Sequence, residues 1–192
     1  MTDDDALRVA EAALLALLAR LFAAELDEET VSILAAAEFL PLVEAACPEA
    51  AADLARDWTA DDLEEAAVEY CRLFVQPGGT APIAAAWLAS APSDAVNPVA
   101  SMVSNLVDAG QLELPDSLST LPHDHLAVLL CIASELRQSD APVATDFMSE
   151  ALGSWTPRFA DALERTATSP VYRLAARWLS SLTTPASTVP QG

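Results

Sequence analysis

The stretch Glu-Tyr-Cys-Arg-Leu-Phe-Val-Gln-Pro-Gly-Gly-Thr-Ala-Pro-Ile-Ala-Ala-Ala-Trp, residues 69–87, decides how this chain is organised. It begins as the end of an amphipathic helix and breaks at Pro77, Gly78 and Gly79. Proline cannot continue helical hydrogen bonding, and glycine adopts backbone angles that other residues avoid. Aromatic residues flank this break, although they make up only 6% of the chain. Two interpretations are open: a helix end whose aromatic side chains fill the core, and one wall of a groove for a peptide.

The composition around this stretch predicts an all-α fold. Hydrophobic residues make up 53% of the 192 residues, glycine occurs five times, and alanine and leucine dominate. Such a composition favours helices over strands. Apolar residues at helical spacing predict about ten helices in a single globular domain over residues 1–182. The Pro-, Ser- and Thr-rich residues 183–192 are expected to form a flexible tail.

Polar caps and prolines predict where several helices begin and end. Thr59 and Asn97 are expected N-caps, the latter followed by Pro98. The second and fourth helices are predicted over residues 28–37 and 49–58, with Pro48 stopping the helix between them. We expect a turn at residues 91–94 and a linker over residues 111–121.

The charge of the chain is strongly one-sided. Against 29 acidic residues there are nine arginines and no lysine, which gives a formal net charge of −20. This charge argues against binding to nucleic acid or to anionic membrane surfaces, and it favours basic partners. An acidic surface also keeps an Ala- and Leu-rich protein from aggregating, so charge alone does not identify a partner.

Nothing in the sequence predicts secretion or stable membrane insertion. The N-terminal Met-Thr-Asp-Asp-Asp is the opposite of a basic signal-peptide start. The apolar run 12–24 is interrupted by Arg20 and is too short to span a bilayer. Cys47, Cys71 and Cys131 are widely spaced, as expected for free thiols in a reducing cytoplasm.

The chain contains no recognisable catalytic or phosphate-binding motif, and we expect neither a cofactor nor a metal. His123 and His125 flank Asp124 at a predicted helix start. Residues two apart on a helix point in different directions, so the pair would chelate a metal poorly. Asp124 could cap the helix, or Asp124 and an imidazole could form a polar anchor in a ligand groove.

Four short motifs occur in order along the chain. They are Glu69-Tyr70-Cys71-Arg72-Leu73-Phe74 with Pro77-Gly78, Ala81-Pro82 with Trp87, Pro122-His123-Asp124-His125-Leu126-Ala127, and Trp155-Thr156-Pro157-Arg158-Phe159 with Ser169-Pro170-Val171-Tyr172. In this order they resemble the TorD/DmsD/NarJ-like redox-enzyme maturation chaperones. The resemblance covers about residues 60–182 and implies that family's all-α fold.

The resemblance implies a function and a site. It implies a cytoplasmic chaperone, not an enzyme, that binds the twin-arginine signal peptide of a molybdenum-cofactor oxidoreductase or iron–sulfur reductase precursor. A monomer and a dimer are both compatible with it. On this hypothesis one set of residues contacts the apolar run of the peptide and a second set holds its polar end. The first set is Tyr70, Leu73, Phe74, Pro82 and Trp87, and the second is Asp124 and His125. Pro122 is also expected to belong to the peptide-binding site.

Two departures from the family pattern predict a divergent client. The family usually has Pro-Tyr-x-Ser where this chain has Pro82-Ile83-Ala84-Ala85, and it often has glutamates near the positions of Leu129 and Cys131. Three other interpretations are an assembly chaperone that grips the mature client, a metal-dependent hydrolase that uses the two histidines and Asp124, and an acidic adaptor without a groove.

Overall fold

A computed structural model of the chain describes residues 3–88 and 97–183. The described residues form ten α-helices and no β-strand, which confirms the predicted all-α class. The predicted turn at 91–94 and the tail beyond residue 183 lie outside the described residues. The helices are α1 (Asp3–Ala23), α2 (Glu28–Ala35), α3 (Leu40–Ala46), α4 (Pro48–Leu54), α5 (Ala60–Tyr70), α6 (Pro98–Asp108), α7 (Leu126–Ser139), α8 (Ala141–Ala151), α9 (Thr156–Thr166) and α10 (Pro170–Thr183).

Helix α7 is the centre of the fold. Its residues from Leu126 to Leu130 are fully buried, as the apolar circumference of this segment predicts. Helix α1 packs along α7 and α8 covers another side of it, while α9 and α10 pack as a pair. A buried hydrogen bond joins α1 to α7, because the Ser134 hydroxyl donates to the Ala12 carbonyl at 2.8 Å.

The helix boundaries follow the caps, with three corrections. Thr59 and Asp62 form a reciprocal capping box at the start of α5. Pro48 does more than end α3, because it is also the first residue of α4. Helix α4 ends at Leu54 and α2 at Ala35, both earlier than predicted. The Trp58 indole lies beyond α4 and donates to the Asp53 carbonyl at 3.1 Å.

A set of aromatic rings forms the middle of the core. Phe22 of α1 is completely buried and lies edge to face against Phe74 and Phe159, with ring centroids 5.7 and 5.6 Å apart. Phe74 also lies edge to face against Tyr70 and Tyr172. Phe22 therefore connects α1 with Phe74, which precedes the break at Pro77, and with α9.

Within the described ranges, none of the helices combines the length and the apolar character needed to cross a lipid bilayer.

We expect Phe22→Ala to lower the free energy of unfolding by about 3–5 kcal/mol, because it removes a fully buried ring and leaves a cavity. Leu7→Ala on the same helix is a matched control, since Leu7 is 60% exposed. Its effect should stay within about 0.5 kcal/mol. Urea unfolding followed by circular dichroism measures both, and equal losses would contradict the central position of Phe22.

Candidate functional site

The broken loop begins where α5 changes its winding. After Tyr70 the chain continues as a π-helix over Cys71–Val75, and Gln76 is its C-cap. π-helical turns are rare and are often found at functional sites. Gly78 has φ 87°, and a Cβ at Gly79 would lie 2.5 Å from the Leu73 carbonyl oxygen. The two glycines are therefore required by this turn, as the sequence predicted.

Residues 80–88, which we call the α7-bound loop, lie against the start of α7. An isolated antiparallel bridge pairs Ile83 with His125. In it the Ala84 N–H donates to the Asp124 carbonyl at 3.0 Å, and the Leu126 N–H donates to the Pro82 carbonyl at 2.8 Å. The structure thus brings together the loop after Phe74 and the start of α7, the two distant segments that the sequence predicts to form the site.

The Asp124 side chain fastens this loop and does not cap α7. Asp124 is buried, and its Oδ2 accepts hydrogen bonds from the Ala85 N–H at 2.9 Å and from Asn97 Nδ2 at 2.5 Å. The cap of α7 is His125, whose Nδ1 accepts from the Ala127 N–H at 3.2 Å. The expectation that Asp124 caps the helix is corrected, because its carboxylate finds donors in the neighbouring loop and at the start of α6.

The two histidines have separate environments. Burial lowers the pKa of His125, against the opposing effect of the Asp124 charge. The ring is therefore neutral, and since Nδ1 accepts a hydrogen bond, its proton is on Nε2. His123 is half-buried and pairs with the Ser104 hydroxyl at 2.8 Å. Across residues 3–88 and 97–183, no three His, Cys, Asp or Glu side chains are grouped so that they could hold a metal ion.

Of the five residues predicted to contact the apolar run of the peptide, four lie in the interior. Tyr70, Leu73, Phe74 and Pro82 are buried in this conformation. The Tyr70 hydroxyl donates to the Phe22 carbonyl at 3.1 Å, and burial raises the pKa of Tyr70 to about 12. These side chains pack in the core beneath the loop and present almost no surface to a ligand. Peptide binding by the predicted set stays a prediction.

Trp87 and Pro122 have accessible surface. Pro122 is exposed and Trp87 is half-buried at the end of the α7-bound loop. The Trp87 indole N–H donates to the Ala81 carbonyl at 2.8 Å, and its ring lies edge to face against Phe159. The Arg158 guanidinium donates to the Trp87 carbonyl. Trp87 is thus a preorganised aromatic side chain at the rim of the site.

Glu69, near the end of α5, fixes the start of the stretch that leads into the α7-bound loop, and the sequence predicted no such role for it. Its carboxylate accepts hydrogen bonds from the Thr168 N–H at 2.7 Å, the Thr168 hydroxyl at 2.6 Å and the Ser169 N–H at 3.2 Å. Arg72 lies 3.0 Å from it. Burial raises the pKa of Glu69, but the hydrogen bonds from Thr168, Ser169 and Arg72 outweigh it and lower the pKa below its usual value. The sequence could not predict this role, because the Thr168 and Ser169 donors lie 99 and 100 residues away from Glu69 along the chain.

We expect Glu69→Gln to lower the free energy of unfolding by about 2 kcal/mol at pH 7, because hydrogen bonds to a charged group are lost. The pKa of Glu69 is lower in the folded state than its ordinary value of 4.5. Its contribution is therefore complete above that pH and disappears as the pH falls through the folded-state pKa. Urea titrations at pH 7 and pH 3 measure this difference.

The matched control for this measurement is Glu64→Gln, since Glu64 is an exposed residue of the same helix. Its loss should be small at both pH values. If the gap between wild type and Glu69→Gln stays constant as the pH falls, the carboxylate does not anchor the loop.

Comparison with known proteins gives one family. The family model described as nitrate reductase delta subunit matches residues 36–161, about two thirds of the chain. The matched range contains the π-helix, the α7-bound loop and the start of α7. A comparison with curated proteins finds no match.

Proposed function

Because the chain belongs to the nitrate reductase delta subunit family, a NarJ/TorD-like family of molybdoenzyme maturation chaperones, we propose that it binds the twin-arginine leader of a client precursor. The client is a molybdenum-cofactor oxidoreductase or an iron–sulfur reductase. The chaperone holds it in the cytoplasm until its cofactor is inserted and it can be exported. The family is one of chaperones and not of catalysts, so the protein performs no chemistry of its own.

The observation that carries the proposal is the α7-bound loop itself. Glu69 fixes the chain where it leaves α5, and Asp124 fixes the loop to the start of α7. Trp87 at the end of the loop and Pro122 just before α7 are therefore held in place. A rigid aromatic rim loses little conformational entropy on binding, which favours capture of an unfolded segment. The net charge of −20 complements the arginine pair of a leader.

The residues of the proposed site have different roles. Trp87 and Pro122 contact the apolar run of the leader. Tyr70, Leu73, Phe74 and Pro82 position the loop from the interior, and Asp124 and His125 fix its backbone against α7. Binding of the leader requires no cofactor. The proposal is compatible with a monomer and with a dimer.

We expect a fluorescent model leader, two arginines followed by an apolar run of about 12 residues, to bind the wild type. Trp87→Ala should weaken binding by about tenfold or more, because it removes the aromatic contact. Asp124→Ala should weaken it similarly by loosening the loop, whereas Asp124→Asn keeps an acceptor and should bind more tightly than Asp124→Ala. Fluorescence anisotropy measures the affinities, and circular dichroism melts verify folding.

Trp58→Ala is the matched control, since Trp58 is half-buried and lies outside the loop. Its affinity for the leader should equal that of the wild type. If Trp87→Ala and Asp124→Ala also bind like the wild type, the assigned site is wrong. If no leader binds at all, leader recognition is wrong.

A second candidate is an assembly chaperone that grips the mature part of its client. The match to a family described by a nitrate reductase subunit favours it, because the resemblance associates the nitrate-reductase members with this mode. We expect the complex with a full-length client to be lost when the client's leader is deleted. A complex that survives the deletion in co-purification would establish the second mode instead.

A further inference from the structure

Two neighbouring cavities lie between α1, α7 and the residues 111–118. One has a volume of about 460 Å³ and the other of about 450 Å³, both within the roughly 300–1,000 Å³ of ligand pockets. They share Pro115, Cys131 and Glu135 as common lining residues. We call the two cavities together the α1–α7 groove. It has no residue in common with the α7-bound loop.

The lining of this groove is largely apolar, and α1 contributes alanines to it besides Arg20. Ala16, Ala19 and Ala23 of α1 line one of the two cavities, while Leu112, Leu114 and Ile132 line the other. Leu112 and Leu114 are only half-buried. Both cavities therefore expose apolar lining, from which an incoming apolar segment could displace water.

The rim of the groove carries negative charge that the chain does not neutralise. Glu113 and Glu135 line the groove and are exposed. Neither forms an ion pair with an arginine of the described residues, whose ten ion pairs involve other carboxylates. Arg20, which also lines the groove, is held by Asp27 and Glu29. The free charge at the rim is therefore acidic.

We propose that the α1–α7 groove is a second docking surface for the client, in addition to the α7-bound loop. Its occupant is a segment of the client's leader that has apolar side chains and at least one arginine or lysine next to them. The apolar side chains enter the two cavities, and the basic residue pairs with Glu135 or Glu113. This inference rests on the proposed function, since it assumes that the chain binds a client.

Two variants test the groove by different physical effects. Ala16→Trp places a bulky ring at an exposed position of the groove wall, and Glu135→Arg reverses the charge of the rim. Each should weaken binding of the model leader by about tenfold or more. The loss from Glu135→Arg should shrink as salt is raised, because exposed charges are screened, whereas the loss from Ala16→Trp should not. Ala13→Trp and Glu64→Arg are matched controls at exposed positions that do not line the groove.

Cys131 supplies a local reporter of occupancy. It is half-buried in the wall that the two cavities share, Cys71 is half-buried elsewhere, and Cys47 is fully buried. In a Cys71→Ser background, bound leader should slow the alkylation of Cys131 by iodoacetamide at least about threefold, provided that most of the protein is occupied. Ala16→Trp should abolish this protection at the same leader concentration.

The outcomes separate this inference from the proposed function. If the wild type binds the leader while both groove variants bind it equally well and Cys131 is unprotected, the groove is not a client site and the proposed function stands. If the wild type binds no leader, both fail. Light scattering adds a third outcome: if Ala16→Trp dissociates a wild-type dimer without affecting leader binding, the groove is a self-association face and the inference is overturned.

Discussion

Two buried carboxylates hold the loop on which the candidate site is built. Glu69 fixes the end of α5, from which the chain runs into the loop, to the connection between α9 and α10, and Asp124 fixes the loop itself to the start of α7. A buried charge is costly unless hydrogen bonds satisfy it. Both side chains accept bonds from backbone N–H groups of distant segments, so each one restricts main chain as well as side chains. The loop is consequently held in one conformation with only a short 3-10 helix, Ala84–Ala86, as regular secondary structure.

This arrangement changes how the aromatic residues around the break should be interpreted. Tyr70 and Phe74 join Phe22 and Tyr172 in the core, so their contribution to a site is indirect. Trp87 differs because the loop carries it back to the surface, where its indole N–H and one ring edge are already engaged. Of the two interpretations left open by the sequence, core filling therefore describes Tyr70 and Phe74, whereas the groove wall stays a prediction that concerns Trp87.

The sequence predicted features that depend on local chemistry. The capping box at Thr59, the Asn97-Pro98 start of α6 and the glycine turn after the π-helix all follow from residues within one turn of each other. It could not predict which donors Asp124 would find, because Ala85 and Asn97 are 39 and 27 residues away. The α1–α7 groove was missed for the same reason. It arises where alanines of α1 face the 111–118 segment, and small residues alone do not indicate a cavity.

The distribution of charge links the loop and the groove. Seven of the nine arginines form ion pairs within the described part of the chain, and Arg177 alone connects α10 to Glu164 of α9 and Glu49 of α4. The ion pairs of Arg20, Arg137 and Arg177 join separate helices, and most of the 29 carboxylates keep their charge facing solvent. A basic segment would meet an attractive field from many directions, but a field alone does not select a position. Selection requires apolar surface beside the charge, and the α1–α7 groove combines the two.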